Sequence, residues 1–251
     1  MELGNDQMHE RLGAVLEPVH EELVGKLLPV SGERWLDVGS GSGSVAIRAA
    51  RAGADVTALD SSEPLLEQAR ENAEGEALSI RFDHGNVEYL PYDDGAFDCV
   101  ASAFGFIFAA DHANVAGELA RVVRRGGRLG FTAWKPNPKL GELYRRFTEE
   151  PLEGREATEW GREDHVEDML GEDFELEFVD GTLWIDAGSG EELWELFSSS
   201  SPPVVALLRR LDPERGEAFH RAFVELYENY PGPDGGIRAP RRYLLVLGTR
   251  R

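Results

Sequence analysis

Apolar residues recur along the first part of the chain with a helical spacing. They lie three to four positions apart, which is the period of an amphipathic helix. The residues concerned are Leu12, Leu16, Val19, Leu23 and Leu27. The pattern predicts a helix over residues 6–28, bent or broken at Pro18 because proline disrupts helical hydrogen bonding. Since periodicity reports burial alone, this helix either packs on the core or covers a ligand.

From Glu33 onward, short apolar runs alternate with amphipathic stretches. The apolar runs predict five strands, at 35–39, 54–60, 78–85, 97–104 and 128–134. Helices are predicted between them, including one over 116–125 that ends at Gly126 and Gly127. Strands joined by helices form a parallel sheet with right-handed crossovers. Such a sheet binds its ligand beyond the carboxyl ends of the strands, where the winding reverses.

Beyond Trp134 the pattern is less regular. Residues 149–168 form a charge-rich surface stretch, and 174–188 alternates apolar and polar residues as a strand pair around Asp180 and Gly181 would. Helical patterns follow at 190–198, 203–211 and 213–229, and 241–250 is a last, apolar strand. We predict an α/β fold with a Rossmann-like, doubly wound and mostly parallel sheet, an antiparallel last strand and a helical cap.

Composition narrows the possible partners. The formal net charge is −21, from 47 acidic and 26 basic residues, which argues against a nucleic-acid partner and an anionic membrane surface. No run approaches the roughly 20 apolar residues of a membrane span, and the start lacks the pattern of a signal peptide. We therefore expect a cytoplasmic protein. The single cysteine, Cys99, excludes an internal disulfide or a cysteine metal cluster and is expected in the core.

The segment from Trp35 to Gly43, WLDVGSGSG, is the first candidate for chemistry. It combines a buried strand with a turn in which Gly39, Gly41 and Gly43 allow unusual backbone angles. Such a turn brings main-chain N–H groups and a helix N-terminus close to a ligand. The triplet alone is a weak signal, because glycine turns also allow tight packing between a strand and a helix.

Two acidic residues make the prediction more specific. Asp60 ends the second strand, 21 residues after Gly39, where an acid on the neighbouring strand can accept both hydroxyls of a ribose. Asp37 lies two residues before the first glycine, where a carboxylate repels a pyrophosphate and attracts an ammonium or sulfonium. In addition, Ser44 occupies the position of the last glycine of the dinucleotide pattern. These details favour a cationic adenosine ligand over NAD.

Several segments together resemble the class I S-adenosylmethionine-dependent methyltransferases, especially those of ubiquinone and menaquinone biosynthesis. The segments are LDVGSGSG, LDSSEPLLEQAR, GNVEYLPYDDGAFDCV and ELARVVRRGGRLGFTAW, and they span residues 33–134. The resemblance implies S-adenosylmethionine as cofactor. Asn86 stands where the family usually has Asp, and its amide keeps an acceptor oxygen for the adenine. Arg125 replaces a proline that is common in the family.

The resemblance also implies a set of cofactor-binding residues. The methionine part would contact the turn, and the ribose would contact Asp60 with Ser61 beside it. The adenine edge would contact Asn86 and Val87. Ala103 and Phe104 would border the reactive sulfur. The turn residues are Gly39, Ser40, Gly41 and Gly43, and Asp37 before them is implied to help hold this region. Residues 1–251 are expected to form a single methyltransferase domain, with an N-terminal helical cover at 1–30, the cofactor-binding core at 33–134 and a helical cap insertion at 190–230.

The expected activity is methyl transfer to a small, apolar or aromatic molecule, because aromatic residues cluster after the fourth and fifth strands. They are Phe104, Phe106, Phe108 and Trp134. The alternatives are an NAD(P)-dependent oxidoreductase and a module that binds S-adenosylmethionine or its demethylated product without catalysis. The acceptor, the methylated atom and the oligomeric state do not follow from the sequence.

A general base is required only if the acceptor must lose a proton. By sequence position His20, His112 and Asp111 are the nearest candidates. His20 can equally lie on a helix surface, and Asp111 can cap the helix that follows it. We assign no catalytic residue and no metal ligand.

Overall fold

The computed structural model describes residues 5–148 and 156–251. In this part of the chain, seven strands form one sheet in the order β3-β2-β1-β4-β5-β7-β6. The strands are β1 (Arg34–Val38), β2 (Asp55–Asp60), β3 (Ile80–His84), β4 (Phe97–Ala103), β5 (Val123–Trp134), β6 (Phe174–Ala187) and β7 (Ile237–Arg250). Neighbours from β3 to β5 are parallel, and β7 runs antiparallel to β5. The predicted sheet is thus confirmed, with its winding reversed between β1 and β4.

Helices connect most of these strands. They are α1 (Asn5–Leu27), α2 (Ser44–Arg51), α3 (Glu63–Gly75), α4 (His112–Val122), α5 (Pro138–Arg145), α6 (Glu163–Leu170), α7 (Gly190–Ser200), α8 (Pro202–Arg210) and α9 (Pro213–Glu228). Short 3₁₀ segments lie at Phe106–Phe108, Glu156–Gly161 and Pro233–Gly235. α1 continues through Pro18 without a break, and the bend expected there stays a prediction. None of the helices in the described part of the chain has the length and apolarity of a bilayer span.

The chain divides into two compact units. The core unit consists of the described residues within 17–135, 156–181 and 243–251, and the helical unit of those within 1–16, 136–155 and 182–242. In the helical unit, aromatic side chains from α7 and α9 pack on one another, with Trp194 edge-on to both Phe219 and Phe223. Each unit therefore has an apolar interior of its own.

The second half of α1 covers one face of the sheet in the core unit. Leu23, Val24 and Leu27 are buried in a cluster that includes residues of α2, β1 and β4. A Cβ built at Gly130 on β5 would lie 2.7 Å from Leu27 Cδ2, so a larger residue there would have to displace the Leu27 side chain. Cys99 is fully buried in the same cluster, as expected.

Two sequence predictions about element boundaries are wrong. The predicted strand pair at 174–188 is one continuous strand, β6, because Gly181 serves packing instead of a turn: a Cβ there would overlap the ring of Tyr243. The helix predicted over 116–125 ends at Val122. Phe97 pairs with Val123 but Cys99 pairs with Arg128, so β5 opens with a bulge at 124–127.

The predicted surface stretch at 149–168 lies partly outside the described residues. Within it, Trp160 and Val166 are completely buried, so this part of the prediction is wrong. Trp160 packs edge-on against Phe106 and Phe131. The acidic residues around Trp160 and Val166 obscured the pattern of the two buried positions.

Asp98 ties the bulge of β5 to β1. Its carboxylate accepts hydrogen bonds from Arg34 N and Nε, both at 3.0 Å, and from Arg124 Nε at 2.5 Å. These bonds, those of Arg34 first, hold the pKa of Asp98 well below its usual value. Because the two arginines are about half exposed, the ion pairs themselves contribute little.

We expect Asp98→Asn to lower the free energy of unfolding at pH 7 by about 1 kcal/mol. A lowered carboxyl pKa stabilises the fold above the unfolded pKa of about 4, and this stabilisation is lost as the pH falls through the folded pKa. Urea unfolding of both proteins should therefore show a full difference at pH 5–7 and a shrinking one towards pH 2. A difference independent of pH would contradict this, and Asp55→Asn, at an exposed position of β2, is the control.

Candidate functional site

The glycine-rich turn leaves β1 at the carboxyl edge of the sheet, the edge where the parallel strands end. Gly39, Gly41 and Gly43 have φ angles of 66°, 53° and 87°, in the left-handed region that favours glycine. Gly39 N and Ser40 N both donate to Leu59 O on β2, at 2.8 and 3.1 Å. The turn is therefore fixed to the neighbouring strand before it enters α2.

The backbones of two glycines touch where the loops after β1 and β4 meet. A Cβ at Gly39 would lie 2.6 Å from Gly105 Cα, and one at Gly105 would lie 2.6 Å from the carbonyl oxygens of Val38 and Gly39. Ser102 holds the same junction, since its hydroxyl donates to Val38 O at 2.6 Å. Gly105 was missed in the sequence because it belongs to no recognisable turn pattern.

Asp37 is only 1% exposed and only partly satisfied. Its Oδ2 accepts a hydrogen bond from Ala46 N at 3.0 Å, whereas its Oδ1 is buried without a partner among the described residues. Burial raises the pKa of Asp37 to about 7, and the nearby charge of Asp60 acts in the same direction. The hydroxyl of Ser40, in the turn, is likewise buried without a partner.

Asp60 ends β2 as predicted and faces the turn. Its Oδ2 accepts from Gly41 N at 2.8 Å and its Oδ1 from Ser62 N at 2.9 Å. Each carboxylate oxygen keeps a further lone pair for a ligand. Ser61 is exposed beside it, and its carbonyl oxygen lies 3.0 Å from His84 Nε2.

Asn86 and Val87 follow β3 at the same edge. Asn86 is exposed, and its Oδ1 accepts from Glu88 N at 3.0 Å, which closes a tight turn. Glu88 Oε1 in turn accepts from Ala110 N and Asp111 N, at 2.9 and 3.0 Å. The loops after β3 and β4 are therefore joined through one carboxylate.

Ala103 and Phe104 lie at the end of β4. Phe104 has a φ of 54°, a conformation that non-glycine residues rarely adopt. Its ring stacks on Trp134 with centroids 3.8 Å apart and planes at 8°, and lies edge-on to Tyr243 at 6.1 Å. These three rings form what we call the aromatic wall.

The three candidate bases have different surroundings in the structure. Asp111 caps α4, since its Oδ1 accepts from Asn114 N at 2.9 Å. His112 Nδ1 lies 2.9 Å from His165 Nε2. His20 is only 6% exposed, so the suggestion that it lies on a helix surface is wrong, and burial lowers its pKa to about 4.

The polar atoms of the turn fit an adenosine ligand with a positive group. Asp37 Oδ1 and Ser40 Oγ are buried atoms able to accept hydrogen bonds, and the carboxylate of Asp60 is an acceptor for hydroxyls. A Cβ at Gly41 would meet nothing within 4 Å, so the turn is open on that side. A diphosphate would meet two carboxylates here, which disfavours it.

Comparison with known proteins agrees with this chemistry. Residues 36–131 match the protein family described as a methyltransferase domain. An uncharacterized protein of Mycobacterium tuberculosis strain H37Rv is 34% identical over 230 residues, which cover 84% of this chain and 83% of that protein. The demethylmenaquinone methyltransferase of Thermus thermophilus is 40% identical over 124 residues, 48% of this chain and 56% of the relative. The chain belongs to the class I S-adenosylmethionine-dependent methyltransferases.

Solved structures share the fold of this methyltransferase. The YcgJ protein of Bacillus subtilis superimposes with a TM-score of 0.64 at 17% identity, over 92% of this chain and 97% of that one. A geranyl diphosphate methyltransferase in complex with S-adenosylmethionine gives 0.57 at 20% identity, over 98% and 90%. The cofactor of the methyltransferase is S-adenosylmethionine, and the oxidoreductase that the glycine turn alone left open is set aside.

We expect Gly105→Ala to destabilise the methyltransferase by about 1 to 3 kcal/mol, because the new Cβ meets two backbone carbonyls that cannot move apart freely. Displacement of the turn should also weaken binding of S-adenosylhomocysteine, measured by calorimetry, at least tenfold. Gly117→Ala is the matched control, since a Cβ at this position of α4 meets nothing within 4 Å. It should stabilise the helix by about 0.5 to 1 kcal/mol. Equal effects of the two substitutions would contradict the role of the glycine contact.

Proposed function

We propose that this methyltransferase transfers a methyl group to a small apolar or aromatic molecule that binds beside the aromatic wall. The observation that supports this most is the position of Phe104 and Trp134 at the carboxyl ends of β4 and β5, with Trp134 partly exposed. Ligand pockets in proteins are mostly apolar with few polar groups. The T. thermophilus relative, a demethylmenaquinone methyltransferase, also supports an apolar acceptor.

We assign cofactor binding to the edge of the core at 33–134. Asp37 and the turn would hold the methionine part, and Asp37 Oδ1, which has no partner among the residues the structure describes, would face its ammonium. Asp60 would accept the ribose hydroxyls, and Asn86 with the Val87 main chain would contact the adenine edge. Ala103 and Phe104 would border the sulfur. The covering roles expected for 1–30 and 190–230 stay predictions.

When bound, S-adenosylmethionine supplies a methyl carbon that its positively charged sulfur activates. The chain's own residues then have to exclude water and hold the acceptor in line with that carbon. Such positioning contributes on the order of 7 to 11 kcal/mol to catalysis. The aromatic wall is suited to it, because the ring of Phe104 is fixed by Trp134 on its face and by Tyr243 at its edge.

A transfer assay with S-adenosylmethionine labelled in the methyl group tests this function. We expect label in small aromatic hydroxy compounds such as 2-naphthol or 1,4-dihydroxynaphthalene, and a higher KM after Trp134→Ala. Label found only in polar amines, protein or nucleic acid would contradict the proposed acceptor class. The same transfer assay with Trp184→Ala is the control, because it removes a half-exposed tryptophan of the helical unit and should leave KM unchanged.

Asp60→Ala should weaken binding of S-adenosylhomocysteine by about 1 to 3 kcal/mol, because the ribose hydroxyls lose their buried partner. Calorimetry at pH 7 measures the change, and Asp55→Ala, at the other end of β2, is the control. Unchanged affinity in Asp60→Ala would rule out the ribose role.

Affinity for S-adenosylhomocysteine should rise with pH between 5.5 and 7. The pKa of Asp37 is about 7 in the free protein, so at lower pH its carboxyl must release a proton before it can pair with the ammonium. This linkage gives up to about tenfold per pH unit, in a range where the amine of the ligand stays charged. Asp37→Asn should bind more weakly with a flatter profile, and an unchanged slope would speak against Asp37.

A further inference from the structure

His20 is a buried polar side chain outside the set of residues assigned to the cofactor above. It lies on α1, only 6% exposed, and its Nδ1 is buried without a hydrogen-bond partner among the described residues. A buried polar atom left without a partner destabilises the fold, so most such atoms are satisfied by protein, water or ligand.

The contacts of α1 show how far along the sheet His20 lies. Leu27 packs over Gly130 in the middle of β5. Five residues earlier, Glu22 accepts a hydrogen bond from the hydroxyl of Tyr243, which pairs with Trp134 at the end of β5. Towards its N-terminus α1 therefore approaches the carboxyl edge of the sheet. His20 is seven residues, or about 10 Å, before Leu27 and shares its helix face, which places it at this edge.

Contacts on either side fix the position of His20 across the sheet. Glu17 forms an ion pair with Arg48 of α2, the helix that the glycine turn opens, while Glu22 contacts Tyr243 on β7. Directly after Glu22 in α1, Leu23 and Val24 pack in the cluster that Ala103, at the end of β4, also contacts. His20 consequently lies on the face of the sheet over the end of β4, next to the end of β1.

Two further buried acceptors lie at the end of β1 without a partner in the described part of the chain, namely Asp37 Oδ1 on the strand and Ser40 Oγ in the turn that follows. Asp37 lies on the same face of the sheet, since its other oxygen accepts from Ala46 N of α2. A primary ammonium donates three hydrogen bonds, and the methionine part of the cofactor carries one.

We propose that His20 is a further binding residue for the amino-acid end of S-adenosylmethionine, with its Nδ1 accepting one hydrogen bond from the ammonium beside Asp37 and Ser40. The assignment rests on the cofactor site proposed above. Because burial lowers the pKa of His20 to about 4, the imidazole is neutral at pH 7 and one ring nitrogen keeps its lone pair. A neutral ring also adds no charge to oppose the ammonium.

Calorimetry with two ligands tests the proposal. S-adenosylhomocysteine carries the amino-acid end, whereas 5′-methylthioadenosine lacks it and keeps the adenosine. We expect His20→Phe, which preserves a ring of similar shape, to weaken S-adenosylhomocysteine about 5- to 50-fold and to change 5′-methylthioadenosine less than twofold. His20→Asn, whose amide oxygen can occupy the place of Nδ1, should recover part of the loss. His220→Phe, on α9 of the helical unit, is the matched control and should leave both affinities unchanged.

Three results would overturn the assignment. Equal weakening of both ligands in His20→Phe would mean that the side chain only supports the packing of α1. Unchanged affinities for both would mean that His20 contacts no part of the cofactor. If His20→Phe fails to fold, His20→Asn and His20→Gln decide. A role for Nδ1 requires that His20→Asn bind S-adenosylhomocysteine more tightly than His20→Gln, so equal or weaker binding by His20→Asn is the third result.

These measurements need no methyl acceptor. They remain valid if the proposed acceptor class is wrong, which only the transfer assay would show. An error in the cofactor site itself would appear as unchanged affinity in Asp37→Asn and Asp60→Ala, whatever the behaviour of the His20 variants.

Discussion

The contact between the backbones of Gly39 and Gly105 is the constraint on which the site depends. It lies between β1 and β4, where the winding of the sheet reverses and the two following loops would otherwise separate. Because neither glycine has room for a Cβ, the backbones of the two loops can approach each other directly. The hydroxyl of Ser102 donates to Val38 O beside this contact. From this junction the turn runs towards β2, where Gly41 N donates a hydrogen bond to the carboxylate of Asp60.

Local features of this site were predictable from the sequence, and features that depend on distant partners were not. The glycine turn, Asp60 at the end of β2 and Asp111 as a helix cap follow from neighbouring residues. Gly181 follows an aspartate as a turn glycine would, yet its function is to admit the ring of Tyr243. Likewise, Gly105 is explained only by Gly39. In both cases the partner lies about 60 residues away, beyond the reach of periodicity or turn chemistry.

Asp37 and Asp60 are two buried carboxyl groups near one turn, and placing both there is electrostatically unfavourable. The net charge of −21 gives no reason for this arrangement. Within residues 5–148 and 156–251, Asp60 accepts two main-chain hydrogen bonds that offset its burial, whereas Asp37 accepts a single one. Burial raises the pKa of Asp37, because a carboxyl group removed from solvent favours its neutral form. A cation bound there would reverse this preference. The imbalance between the two acids supports the proposal that this loop, whose counterpart holds a diphosphate in dinucleotide-binding sheets, selects a sulfonium nucleoside instead.

Phe104 connects this electrostatic half of the site to its apolar half. A left-handed backbone at a non-glycine residue costs on the order of 1 to 3 kcal/mol, and stacking on Trp134 offsets about 0.5 to 1.5 kcal/mol of it. The strained residue directly precedes Gly105, so the ring that borders the proposed acceptor and the backbone that positions the cofactor turn belong to one short segment. A change of acceptor contacts at Phe104 would alter the balance between strain and stacking, and the adjacent glycine contact would have to adjust with it. Acceptor choice and cofactor affinity are therefore expected to vary together in substitutions along 103–105, even where the substituted side chain contacts only one of the two ligands.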